Sequence, residues 1–172
     1  MKRLISLCLM SFLTACAHQS NTRDMAIPAQ SIQIMLEERL KTSGQPTLED
    51  LDKLQAQGVT TIISLRPETE NTGYDESAEV AKRGMHFITL PINGKSDITP
   101  EKAEELNTLL EQTKGTVLLH CASGNRVGAL VAIIANKQGE TPEQSILLGK
   151  KAGLGSLQST VEPLLEPKCE QC

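Results

Sequence analysis

Thr116-Val117-Leu118-Leu119-His120-Cys121-Ala122-Ser123-Gly124-Asn125-Arg126 is the stretch that decides the fold. An apolar, partly β-branched run leads into it, and Val127-Gly128-Ala129-Leu130-Val131-Ala132-Ile133-Ile134 follows with a helical pattern. The order reads strand, tight loop, helix. Short residues between Cys121 and Arg126 let backbone N–H groups turn inward, and such a loop at a helix N-terminus is an anion cradle. A thiol placed there is drawn toward thiolate by the helix dipole and by the guanidinium. The stretch offers a nucleophile, Cys121, and an oxyanion pocket in one turn. A purely structural cysteine, buried as free cysteines usually are, leaves Gly124 and Arg126 unexplained at these offsets.

Outward from the loop, strands alternate with helices. Ser31 to Leu40 is open between the two: Ile32, Ile34 and Leu36 alternate as in a strand, while Glu37-Glu38-Arg39-Leu40 continues equally well as helix. Lys41-Thr42-Ser43-Gly44-Gln45-Pro46 breaks what precedes it. Thr47 caps a short helix with Leu48, Leu51 and Leu54 on one face, ending at Gly58. Val59 to Leu65 is a β-branched strand that stops at Arg66-Pro67. A helix over about Asp75 to Arg83 and a strand over Met85 to Leu90 follow, then a flexible loop from Pro91 to Asp97. Thr99 and Pro100 open a helix buried through Leu106, Leu109 and Leu110. After the Cys121 loop come a helix closed by Gly139, another opened by Thr141, and a last one over about Leu157 to Leu165. The chain is therefore expected to be α/β, with a mostly parallel central sheet, helices on both faces and a helical C-terminal end. Ligands in such sheets bind beyond the strand C-termini, so Arg66, Asp97 and Cys121, each just after a strand, are expected on one rim.

Composition narrows the function. With one Tyr, two Phe and no Trp, an aromatic platform for nucleic acid is not expected, and the net charge of −4 argues against a polyanionic partner. The three histidines are scattered and one Cys-x-x-Cys lacks a second ligand pair, so no metal site or cofactor is expected. Lys2-Arg3 followed by apolar Leu4 to Leu13 has the form of a signal peptide, too short to span a bilayer. Leu13-Thr14-Ala15-Cys16 resembles the bacterial lipobox, which implies cleavage after residue 15, lipidation of Cys16 and a lipid anchor in the membrane. Ala17 after that cysteine, rather than Asp, implies the outer membrane, facing the periplasm. The expected organisation is a signal peptide over 1–15, a polar tether over 16–30, a domain over 31–167 and a tail over 168–172. Cys169 and Cys172 in that tail form a disulfide in an oxidising envelope, serve as a redox partner, or belong to a loose end.

Ser43-Gly44-Gln45-Pro46, Leu65-Arg66-Pro67-Glu68 and His120 to Arg126 together resemble the beta-lactamase-hydrolase-like phosphatase domain, a bacterial relative of the protein tyrosine and dual-specificity phosphatases. The resemblance covers roughly Ile32 to Ala135. It implies that Cys121 attacks phosphorus and forms a cysteinyl phosphate. Arg126 and the loop residues Ala122, Ser123, Gly124 and Asn125 would hold the phosphoryl oxygens. The implied substrate is a phosphorylated small molecule or protein. A carboxylic acid would protonate the leaving oxygen; Asp97 is the candidate, with Glu68, Glu70 and Glu101 as competitors. Arg66 is expected either to touch substrate or to bridge Glu68 or Glu70. One departure stands out. Tyrosine phosphatases have five residues between cysteine and arginine, and here there are four. Rhodanese-type sulfurtransferases carry a persulfide on the cysteine of such shorter Cys-x-x-Gly-x-Arg loops, which makes sulfur transfer on Cys121 the alternative. An envelope binder that keeps only an anion pocket is a third reading, and the intact Cys121 and Arg126 argue against it.

Overall fold

A computed structural model describes residues 30–165. The expected signal peptide, the lipidation of Cys16, the tether up to residue 29 and the Cys169–Cys172 pair lie outside the described residues.

The elements run α1 (Ile32–Glu38), β1 (Leu40–Ser43), α2 (Leu48–Ala56), β2 (Val59–Ser64), α3 (Glu76–Lys82), β3 (His86–Thr89), α4 (Pro100–Gln112), β4 (Thr116–His120), α5 (Asn125–Lys137), α6 (Pro142–Lys151) and α7 (Gln158–Val161). The four strands pair in parallel in the order β1-β4-β2-β3. Alternate residues of the two central strands feed two apolar layers, as the period of two in a strand requires. Ile63, Val117 and Leu119 pack with α1, α4 and α5 through Met35, Leu106 and Leu130. Ile62 and Leu118 pack on the other face with Leu51 of α2 and Val80 of α3. Burial on both faces is what makes these strands near-continuous hydrophobic runs.

Ser31 to Leu40 proves to be helix followed by strand. Ser31 caps α1, and Ile32 and Met35, three apart, are the buried pair, while Ile34 is 42% exposed. The apparent alternation is therefore not used. Lys41 to Ser43, expected as part of a break, belongs to β1, and the break begins at Gly44. β1 pairs only with β4, so one buried apolar residue, Leu40, is enough to seat it. The expected helix over Leu157 to Leu165 is α only to Val161 and tightens to a 3₁₀ turn over Glu162–Leu164. Pro163 has no N–H with which to continue an α ladder. The loop expected to be flexible between Pro91 and Asp97 contains an ordered 3₁₀ turn over Gly94–Asp97.

The register sets the site. Ser43 and Ser64 flank His120, and Thr89 flanks Ser64. All four strands therefore end on one rim, and Gly44, Leu65, Leu90 and Cys121 leave it side by side.

Candidate active site

Cys121 leaves β4 and is 1% exposed. Gly124 caps α5 in the left-handed region at φ 85°, a conformation open to glycine at no steric cost. This turn aims the Gly124 N–H at the Cys121 Sγ, 3.1 Å away. The first N–H groups of a helix have no intrahelical acceptor, and α5 begins at Asn125, so the thiol sits at the positive end of a 13-residue helix.

The three motifs read from the sequence meet here. Gln45 N donates to the Ala122 carbonyl at 3.1 Å. A Cβ on Gly44 would stand 3.0 Å from that same oxygen, so only glycine lets the β1 exit lie this close to the loop. Leu65 N donates to the His120 carbonyl at 2.8 Å, tying the β2 exit to the same turn. On the other side Asn125 does not face the loop interior. Its Oδ1 accepts from Gly155 N (2.8 Å) and Leu157 N (3.3 Å), and its Nδ2 donates to the Ser156 hydroxyl at 2.7 Å. The Asn125 side chain bolts the segment after α6 to the cradle.

Arg126, in the first turn of α5, reaches across to Glu70. Its two terminal nitrogens donate to the two carboxylate oxygens at 2.7 and 2.8 Å, and Nη1 also donates to the Ile92 carbonyl at 2.9 Å. Hydrogen bonding to Glu70 chiefly, and charge attraction to Cys121, raise the Arg126 pKa above the ordinary value. The Arg126 fork in turn holds the Glu70 carboxyl below the usual carboxylate range, with Arg66 adding to the effect. Each nitrogen of Arg66 makes one bond to the protein: Nε to Glu70 at 3.1 Å, Nη1 to the Gln45 side chain at 2.5 Å, Nη2 to the Asn71 carbonyl at 2.6 Å. Of the two roles expected for Arg66, the bridge to Glu70 is formed. Glu68 is exposed.

Asp97 lies on the loop after β3, whose Ile92 touches Arg126, but its carboxylate is turned into its own turn. It accepts from Asn93 N (2.8 Å), Asn93 Nδ2 (3.1 Å) and the Ser96 hydroxyl (3.3 Å). These bonds, the Asn93 backbone one first, lower its pKa. Glu101 sits in the first turn of α4, away from these contacts. The sequence reading did not find Gln45, Tyr74 and Glu76 as a group. Gln45 Nε2 donates to Tyr74 Oη at 3.0 Å and to Glu76 Oε1 at 2.9 Å, and burial raises the Tyr74 pKa. A Glu in the first turn of a helix reads as an ordinary dipole partner, and only the fold shows that this one is 5% exposed.

Glu70 also makes a pH prediction. A carboxyl whose pKa is depressed in the folded state contributes stability above its unfolded value, roughly 4.3, and that contribution disappears as pH falls through the folded value. Glu70→Gln should therefore melt lower than the parent at neutral pH, and the difference should shrink as pH drops below about 4. Thermal unfolding followed at stepped pH checks this; a gap that stays constant contradicts it.

A parallel α/β sheet with a cysteine loop between its central strand and a helix, and an arginine returning to the thiol, defines a phosphatase-like domain of the dual-specificity and tyrosine phosphatase type. The chain belongs to the family described as DSP-PTPase phosphatase fused to NAD+ kinase, whose model matches residues 17–160. Similar curated proteins are beta-lactamase hydrolase-like proteins. The one from Xylella fastidiosa (strain Temecula1) is 34% identical over 102 residues, covering 57% of this chain and 23% of the relative. That from Agrobacterium fabrum is 30% identical over 104 residues, covering 58% and 24%. The chain thus spans about a quarter of the length of these relatives. Among solved structures, a candidate phosphatase from Neisseria meningitidis superposes with a TM-score of 0.64 at 26% identity, covering 74% of this chain and 92% of that one.

Proposed function

We propose that the chain is a cysteine-dependent phosphomonoesterase working through a cysteinyl-phosphate intermediate. Cys121 Sγ attacks phosphorus and the ester oxygen leaves with a proton from a carboxylic acid. Water, activated by the same group, then hydrolyses the thiophosphate ester. The observation that supports this best is the Arg126 fork beside the thiol. It already takes two oxygens of one anion, Glu70, and bidentate guanidinium recognition suits a phosphoryl group equally well. The substrate is a phosphorylated small molecule or protein, and the amides of Ala122, Ser123 and Gly124 hold its oxygens. We place the lipid anchor at Cys16 and the enzyme in the envelope, on the lipobox resemblance alone.

The acid in this scheme is Asp97, the only carboxylate between Pro91 and Thr99. It must first give up Asn93, since a carboxyl held in three hydrogen bonds carries no proton at neutral pH. Asp97→Asn should lower kcat on an aryl phosphate by about a hundredfold and flatten the alkaline limb of its pH profile. An unchanged rate and profile would transfer the role to Glu70.

The short loop supports a second reading. Only Ala122, Ser123 and Gly124 stand between Cys121 and the start of α5, as in loops that carry a persulfide. The two readings separate in one experiment. The reduced protein is assayed for phosphate release from an aryl phosphate and for thiosulfate-to-cyanide sulfur transfer. Phosphate release alone supports the phosphatase; sulfur transfer alone replaces it.

A further inference from the structure

Gln45 takes no part in the proposed reaction, yet both halves of the anion pocket meet on it. Its backbone N–H holds the Ala122 carbonyl of the cysteine loop. Its side chain starts a relay that ends on Arg126. Gln45 Oε1 accepts from Arg66 Nη1 at 2.5 Å, and Arg66 Nε donates to Glu70 Oε2 at 3.1 Å. The same Glu70 oxygen accepts from Arg126 Nη2 at 2.8 Å. The Gln45 amide is oriented from its other side. Tyr74 donates its hydroxyl proton to the Pro46 carbonyl at 2.7 Å, so it meets Gln45 as an acceptor. Glu76, 5% exposed, offers a carboxyl oxygen. These two take Gln45 Nε2, at 3.0 and 2.9 Å, which turns Oε1 toward Arg66.

The far end of the relay decides which edge of Arg126 is open. A guanidinium carries five N–H groups in one plane. Nη1 gives its two to Glu70 Oε1 and to the Ile92 carbonyl, and Nη2 gives one to Glu70 Oε2. The Nε–H and the second Nη2–H form the other edge, a fork for two oxygens of one anion. Glu70 sets this plane, and Glu70 is itself held by Arg66. Of the three acceptors of the Arg66 side chain, Glu70 and the Asn71 carbonyl belong to the loop that follows it. Gln45 alone ties that side chain to another element, the exit of β1. We propose that Gln45 is a positioning residue for the anion pocket: it holds Arg66, Arg66 holds Glu70, and Glu70 sets the plane of Arg126. With its N–H on Ala122 and its amide on Arg66, one residue keeps the loop amides and the guanidinium in register. The proposal rests on Cys121 and Arg126 forming the pocket for the anion of the substrate. The relay needs glutamine. Glutamate has no donor for Tyr74 and Glu76, and methionine has no donor and only a weak acceptor.

The test is calorimetric titration of the full reduced chain with inorganic phosphate, beside ¹⁵N NMR of the arginine side chains. Gln45→Met should weaken phosphate binding about tenfold. Arg66→Met should weaken it too, and the double variant should bind no worse than Arg66→Met alone, since the two act through one relay. In the parent, hindered rotation should give Arg126 two separate Nη signals, and in Gln45→Met these should merge. A residue that only packs would add its loss to that of Arg66 and leave Arg126 hindered. Unchanged phosphate affinity in folded Gln45→Met overturns the proposal. So does an additive double variant, or an Arg126 that stays hindered in Gln45→Met. Should the substitution prevent folding, the parent decides: hindered rotation of Arg66 as well as Arg126 supports the relay, and a freely turning Arg66 rejects it. None of these readouts needs phosphate turnover. A parent that binds no phosphate ends both the proposal and the phosphatase reading. A chain that shows the coupling but hydrolyses no aryl phosphate keeps Gln45 as a positioning residue and loses the phosphatase reading.

Discussion

Cys121→Ser should remove at least about a thousandfold of the phosphate release from an aryl phosphate, with the fold intact. The size follows from what the sulfur does. A thiolate is the reacting atom, and a serine hydroxyl in the same place is far from ionised at neutral pH. Among the described residues, the groups that act on Sγ are the Gly124 amide, 3.1 Å away, and the Arg126 guanidinium. These stabilise an anion but accept no proton, so a hydroxyl there has no general base. The oxygen fits the sulfur's buried place, and the Gly124 amide can still donate to it, so melting should change little. Binding of inorganic phosphate should also survive, because Arg126 and the loop amides remain. Full turnover in the variant would show that Cys121 is a spectator and would end the proposed mechanism. Lost turnover together with lost phosphate binding would mean that the loop had collapsed rather than that a nucleophile had been removed.

The second large effect is on stability. Gly128→Ala should lower stability by about 3 kcal/mol and the midpoint of thermal unfolding by roughly 6–12 °C. In an exposed helix interior the same change stabilises, because alanine gives up less conformational freedom than glycine. Here the sign reverses for lack of room. A Cβ on Gly128 would stand 2.0 Å from Leu154 N, 2.5 Å from Gly149 O and 2.6 Å from the Leu154 Cα. All three are backbone, and Leu154 N is itself bonded to Gly149 O at 2.8 Å, so the turn that ends α6 cannot yield by a rotamer change. The helix α5 would have to move. Gly128 N bonds to the Gly124 carbonyl at 2.9 Å, and Gly153 packs directly against Gly124. The displacement would therefore reach the cradle, and surviving folded protein should bind phosphate more weakly. Calorimetry with phosphate titration measures both; a melting point equal to or above the parent's would show that α5 and α6 part easily.

Arg66 and Arg126 show where sequence reasoning stopped. Both were singled out by position, one after β2 and one after the loop. Nothing in their spacing told that Glu70 would lie between them and accept from both. That contact depends on how the chain from Pro67 to Asn71 folds back across the rim. Asp97 lies on the loop after β3, as its position in the sequence predicts, but its engagement with Asn93 is a local turn whose geometry no periodicity records.

The sequence by itself determined the alternation of strands and helices, because β-branched runs and capped amphipathic stretches carry their own periods. It determined the strand–loop–helix that presents Cys121, because glycine and short residues at those offsets permit little else. The tertiary structure alone decided the strand order and the register that sets Ser43, Ser64 and Thr89 in one row with His120. It also decided the use of Asn125 as a bolt and the burial of Glu76 against His120. These rest on pairings between residues up to 77 positions apart in the case of Ser43 and His120, and the physics of such contacts lies in packing, which local sequence does not encode.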